Sequence, residues 1–290
     1  RAAAAAAGPD RLKLLFIDDS LTEHASPGIE LRLNRPTKAG AAFPADKPWE
    51  TYGFDAYSSV VEDPTNSTFP WRLYYAAAVA PAFAAHVMCV ALSRDGVTWI
   101  KPSLGLVSWN GTTATNIVFP TANIDASAPR GGPQLGNVFY DTRPGTPPSE
   151  RWVFTSHCFH ASGAHPCPGA GLSVFFSPDG FRWNEAEGAQ SFVTGSDTFN
   201  VAFYDPRYEQ YAGYIRIDDA KPNPHESQCA AQPDLRRIGR CQFASLHGSW
   251  GCDNTNASTV FSFDADDPLC LDFCEFDNHV AAPSFHPLGL

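Results

Sequence analysis

Apolar and polar residues alternate along this chain in short runs rich in Val, Phe, Tyr and Ile, each bounded by Gly, Pro, Asn or Asp. A period of two is the strand pattern, and sustained helical periodicity is hard to find, so the chain reads as all-β. The runs fall into three units of like order. Each opens on a strand ending in an Asp turn: "YSSVVEDP", "GNVFYDTRP" and "NVAFYDPRY". An aromatic-rich strand follows: "WRLYYAA", "RWVFTSH" and "QYAGYIRI". Each unit closes on a third strand that runs into a turn: "CVALSRDGVTW", "LSVFFSPDGFRW" and "CQFASLHGSW".

The Asp turns at Asp63, Asp141 and Asp205 stand 78 and 64 residues apart, and the S-x-D-G-x-x-W turns that begin at Ser93 and Ser177 stand 84 apart. That is the period of a propeller blade. Asp-Gly supplies the positive backbone angles of a tight hairpin, over which the following Trp packs. The third copy carries His247 in place of Asp and one residue fewer, a degenerate version. Strands grouped in threes or fours at this period predict a β-propeller rather than a sandwich. Blades are expected at roughly 50–105, 130–188 and 196–255, with a partial blade at 264–290, in a propeller domain spanning 12–290. Residues 1–11 read as a low-complexity tail. Propellers close with four or more blades, so the chain is expected either to be an incomplete copy or to build a blade from its ends. "LKLLFIDDSL" is then an outer strand that closes the ring.

In a propeller the first strand of each blade lines the channel, so the starts of those strands converge on one mouth. Aligned on the Asp turns, Asp55 and Asp197 occupy the same position in the first and third units, while the second carries Pro133. Two carboxylates on different blades can face each other across a funnel and flank a glycosidic bond. The plainer reading of each is a turn-capping Asp bonded to nearby backbone. Asp63 and Asp205, both followed by Pro, are expected to end the first strand and start the hairpin. Trp49, Tyr52 and Tyr57 near Asp55, and Phe199 beyond Asp197, are candidate stacking surfaces for a sugar ring, with inter-blade packing as the alternative. Arg216 and His157 end second strands and are candidate substrate contacts if those strands lean inward.

Composition narrows the partners. Twenty basic against thirty-one acidic side chains give a net charge of -11, which repels nucleic acid and anionic membranes and favours neutral or cationic partners. The most apolar window, Tyr74 to Leu92, is nearly long enough to span a bilayer, but it is Ala-rich and broken by Pro81 and His86, so two strands and a loop are expected. Eight cysteines and sequons at Asn66, Asn110 and Asn256 point together to an oxidising, secretory compartment and a glycoprotein. Cys158 with Cys167, and Cys241 with Cys252, close short loops that suit local disulfides, though spacing does not fix pairing. "HCFHASGAHPC" holds three His and two Cys, yet lacks two ligand pairs at regular spacing, so no metal site is assigned. There is no P-loop, no G-x-G-x-x-G after a strand and no nucleophile elbow, and no cofactor is expected.

With "DDSLTEH", "DKPWE", "SRDGVTWIKPSLG", "SPDGFRW" and "SDTFNVAFYDPRYEQYAGYIR", the chain resembles the five-bladed β-propeller glycoside hydrolase superfamily, including families 32 and 43, over about residues 13 to 280. The resemblance implies a five-bladed type of propeller, here with about three full blades and part of a fourth. It also implies a funnel with three carboxylates: a nucleophile or base, a general acid and a transition-state stabiliser. Asp55 matches the nucleophile or base, and Asp197 matches an inner-strand acid that serves as acid or stabiliser. No Glu falls at an aligned inner position of the second or third unit, so the acid stays open between Asp197, Asp272 and Glu275; Asp18 and Asp19 are a fallback for the first acid, with a solvated turn as the plainer reading. The implied activity is hydrolysis of a glycosidic bond in a carbohydrate substrate. The alternatives are a propeller that binds carbohydrate or protein without catalysis, an inactive fragment, and a sialidase-like protein, for which the expected clustered arginines are absent, Arg236, Arg237 and Arg240 sharing one short segment.

Overall fold

The strands read from the alternation form three antiparallel sheets, one after another along the chain. In the computed structural model the described residues are 28, 35, 37, 43–80, 85–120, 134–158, 171–184, 199–218, 236–253 and 256–261. The first sheet holds β1 (Phe54–Glu62), β2 (Trp71–Ala78), β3 (His86–Ser93), β4 (Trp99–Ile100) and β5 (Ile117–Phe119). Its order is β1-β2-β3, and β3 pairs with β4 at one end and β5 at the other. The second holds β6 (Gln134–Tyr140), β7 (Trp152–Cys158) and β8 (Gly171–Ser177) in chain order. The third holds β9 (Val201–Asp205), β10 (Gln210–Asp218), β11 (Arg236–Phe243) and β12 (Ser258–Phe261), also in chain order. The window that approached membrane length is β2 and β3, and no described helix is long and apolar enough to cross a membrane.

The sheets lie face to face. Tyr74, Ala76, Met88 and Val90 of the first meet Val138, Trp152, Phe154 and Phe175 of the second. The other face of the second, Val153, Leu172, Val174 and Phe176, meets Ala202, Tyr204, Tyr211, Ile215 and Phe243 of the third. Burial on both faces is why β3 and β8 read as continuous apolar runs and not as alternating ones. The first strands lie beside one another, β1 against β6 and β6 against β9. Sheets stacked around a shared line of first strands are propeller blades, and the described residues hold three of them; they do not fix a total of five. The outer face of the first sheet, Tyr75, Ala77, Val87 and Cys89, is closed by Trp49, Val107, Trp109 and Phe43.

The S-x-D-G-x-x-W turns form as expected, with one difference. Only the glycines take positive φ, +74° at both Gly96 and Gly180. Asp95 works through its carboxylate, which accepts hydrogen bonds from the amides of Val97 and Thr98 and the hydroxyl of Ser93. Asp179 repeats these contacts with Phe181, Arg182 and Ser177. In the third copy the Ser245 hydroxyl accepts from the His247 amide, Gly248 takes φ +84°, and Trp250 is buried.

Candidate active site

One end of the first strands is built for rigidity. At the close of β1 the buried Asp63 is ion-paired with Arg72, accepts from the amide and hydroxyl of Thr65, and so ends the strand as its Asp-Pro predicts. Asp141 at the close of β6 accepts from the Tyr211 hydroxyl of the next blade at 2.6 Å and from Thr146. Asp205 at the close of β9 holds Arg207, whose guanidinium keeps the carboxyl below its usual range. All three are structural turns.

The opposite end has a different chemistry. β1 starts after Gly53, whose φ of +89° suits glycine and whose carbonyl accepts from the Ala78 amide. Between Phe54 and Ser58 the pairing with β2 slips, and such a bulge re-aims side chains. β6 slips likewise between Leu135 and Val138, where a Cβ on Gly136 would stand 1.8 Å from the Thr155 carbonyl oxygen. Neutral polar groups join the strands there. The Ser59 hydroxyl accepts from the Val138 amide, and the Asn137 side chain both donates to the Ala202 carbonyl and accepts from the Ala202 amide. Asn200 accepts from the Arg216 amide.

Asp55 lies at this end, its side chain 15% exposed, with Oδ2 3.5 Å from Nε2 of His86, whose side chain is 4% exposed. His86 opens β3, directly across from Ala78. The run Ala76 to Ala78 on β2 carries no bulk, so an imidazole on the third strand reaches a carboxylate on the first. Burial pushes the His86 pKa down, opposed by the Asp55 carboxylate. Two residues on, the Tyr57 ring stacks on Phe199 with centroids 5.4 Å apart and planes at 12°. That contact joins the first blade to the third.

The candidates read from the sequence are thus divided. Tyr57 and Phe199 stack on each other two residues along β1 from Asp55, although Phe199 is buried and meets Tyr57 rather than solvent. Tyr52, 48% exposed, precedes β1 in the turn at Gly53. Arg216 lies beside Asn200 through its backbone, and His157 pairs with Gln134 at the start of β6, so both residues lie near the ends of their strands on this side. Trp49 is a correction: it is 4% exposed, its indole N–H donates to Asn116 Oδ1 at 3.0 Å, and its ring faces are taken up by the core over the first sheet. Asp197, Asp272 and Glu275, like Asp18, Asp19 and Cys167, lie outside the described residues. His86 was visible in the sequence only as an interruption of an apolar window; a titratable residue at the start of an otherwise apolar strand was the signal. Among the described residues no group of three or more His, Cys, Asp or Glu is placed to hold a metal ion.

No protein-family model and no curated protein matches the chain. Solved structures of similar shape include a BT0996 complex with RGII, with 15% identity and a TM-score of 0.39, over 74% of this chain and 52% of that one. A glycoside hydrolase is similar at 16% identity and a TM-score of 0.40, over 75% of this chain and 53% of its own length. A fructofuranosidase variant from Schwanniomyces occidentalis, complexed with fructosylnystose, is similar at 14% identity and a TM-score of 0.40, over 72% and 35%. The chain therefore spans about half the length, or less, of these structures. With identities and TM-scores this low, the propeller assignment rests on the sheet contacts themselves.

Proposed function

We propose that the chain is a glycoside hydrolase that acts at the common mouth of its first strands, with Asp55 as the nucleophile or base. The observation that carries this reading is the setting of Asp55: a partly exposed carboxylate at a bulged strand start, beside an aromatic stack contributed by two blades. Glycosidases need one ionised and one protonated carboxyl on either side of the scissile bond, and an apolar surface against which a pyranose or furanose ring can lie. Tyr57, backed by Phe199, supplies the surface. Asp197 precedes Phe199 by the same two residues that separate Asp55 from Tyr57, and it is the proposed second carboxyl. Asp272 and Glu275 are the remaining candidates for the acid.

The same reading places the protein in the secretory pathway or outside the cell. The Cys241–Cys252 disulfide suits an oxidising compartment. Of the three sequon asparagines, Asn110 and Asn256 are exposed, and Asn66 is half-buried with its carbonyl oxygen accepting from the amides of Thr68 and Phe69.

A stacked aromatic pair beside a polar mouth also suits carbohydrate binding without turnover, so the experiment must separate the two. Wild type and Asp55→Asn are compared for hydrolysis of aryl glycosides and of plant and algal polysaccharides, and for sugar binding by calorimetry. Loss of turnover with retained binding supports catalysis. Binding without turnover in either form makes the chain a carbohydrate-binding propeller, and full turnover by Asp55→Asn removes Asp55 from the chemistry.

A further inference from the structure

β1 carries an aspartate near each end, and the two are held in opposite ways. Asp63 has a fully buried side chain and is locked to the guanidinium of Arg72, a permanent charge. Asp55 keeps 15% of its side chain exposed, and the group facing it is an imidazole, whose charge is not permanent. A carboxylate that must attack or accept a proton loses basicity against a fixed cation. A neutral imidazole can orient it by hydrogen bonding and leave its charge in place.

We propose that His86 is the positioning residue for Asp55: from the buried start of β3 its imidazole stands 3.5 Å from Oδ2, longer than a hydrogen bond, and closes to donate to it when substrate fills the mouth, which fixes the carboxylate towards the mouth. The inference rests on the reading of Asp55 as the reactive carboxylate. His86 itself is too deeply buried to touch a substrate, so it acts only through Asp55. The neighbouring elements fit this role. Across β2 the residue opposite His86 is Ala78, on β5 Phe119 lies beside Met88, and from β1 the facing group is Asp55. Burial disfavours the His86 imidazolium, and the Asp55 carboxylate opposes that effect. As pH falls and His86 takes a proton, the neutral donor becomes a cation facing Asp55. The acid limb of activity is then set by His86.

The test has a part that needs no substrate. In the full chain labelled with 15N-histidine, the His86 imidazole is titrated by NMR in wild type and in Asp55→Asn. Removal of a facing carboxylate at this distance is expected to lower the His86 midpoint by about one pH unit or more; an unchanged midpoint overturns the coupling. On the aryl glycoside that wild type turns over best, His86→Gln keeps a donor in place of the imidazole. It is expected to retain kcat within about tenfold while its acid limb moves, whereas His86→Leu loses about 10- to 100-fold in kcat. Equal activity and an unshifted pH profile in both His86 variants overturn the proposal while Asp55→Asn still abolishes turnover. If Asp55→Asn is itself fully active, the parent reading fails instead, and the NMR shift alone then marks a structural pair.

Discussion

Arg72 is where a single substitution should reveal how the first two blades hold together. Its guanidinium is ion-paired with the buried Asp63, with Nε donating to Oδ2 at 2.9 Å, and also donates to the Asp179 carbonyl in the turn after β8. The same group lies 4.1 Å from the ring centroids of both Trp152 and Phe181. Arg72→Met fills the volume but leaves Asp63 as a buried anion supported by Thr65 alone among these donors. Removing one partner of a buried pair costs about 3–5 kcal/mol, and the lost ring contacts add about 1–2 kcal/mol. Thr65 offsets part of this, so the expected loss is about 4 kcal/mol, a large share of the ~5–15 kcal/mol typical of a folded domain. Urea unfolding followed by tryptophan fluorescence measures it. In the Asp63→Asn, Arg72→Met double variant the stranded charge is gone, and the pair should lose at least about 1 kcal/mol less than the sum of the single losses. Arg72→Lys keeps the charge but not the fork or the stacked plane, and should fall between. A loss below about 1 kcal/mol for Arg72→Met, or strict additivity in the cycle, refutes this account of the joint.

Three further outcomes follow from particular contacts. Gly136→Ala forces a methyl against the Thr155 carbonyl, which is backbone and cannot swing aside, so a loss of about 3 kcal/mol or more is expected in the same unfolding assay. Replacing Cys241 and Cys252 with Ala releases a bridge between residues 11 apart, and should lower stability by about 2–3 kcal/mol, an effect that reductant reproduces in wild type. Asp95 is held down to about 2 by the amides of Thr98 and Val97 and the Ser93 hydroxyl. A depressed folded value means that its stabilisation is complete above the unfolded value of about 3.9 and is lost as pH falls through the folded one. Thermal midpoints of Asp95→Asn and wild type should therefore differ at pH 7 and converge towards pH 2.

The blade strands were legible in the sequence because each combines β-branched and aromatic residues with Asp, Gly or Pro at its ends, and the turn copies fixed their order. The short β5 and β12 were not, since runs of 3 and 4 residues carry no period of their own and are held by β3 and β11. Trp49 looked like a binding-site aromatic because it stands near Asp55 in sequence. In space, Gly53 turns the chain between them, and Trp49 faces the opposite side of the sheet together with Tyr75 and Asn116. The Asp55–His86 contact was illegible for a stronger reason. It depends on the bulge in β1, on the pairing of two further strands and on the small Ala76–Ala78 run, none of which a linear pattern reports.

The repeated tryptophan turn carries more than its own hairpin. The turn at Ser177 reaches back to the first blade, where Arg72 and the Tyr74 hydroxyl donate to the carbonyls of Asp179 and Gly180. The turn at Ser245 reaches back to the second, with His247 stacked on Phe176 and 3.0 Å from Glu150, and with Arg143 donating to Ala244. In the second turn the Asp179 carboxylate is taken up by its own turn and Arg182, whereas in the third His247 supplies a ring to Phe176 and a ring nitrogen to Glu150. These turns lie at the end where Asp63, Asp141 and Asp205 close the first strands, so the fixed charges and the inter-blade clamps are concentrated at one end of the blades. At the mouth the described residues place bulges, neutral amides and hydroxyls, Arg216 and the Asp55–His86 contact. If stability and chemistry are separated in this way, Glu150→Gln should lower the unfolding midpoint of the third blade against the second without moving kcat. His86→Gln should move the pH profile with little change in that midpoint. A variant at the clamped end that changes the acid limb of activity would show that the two ends are not independent.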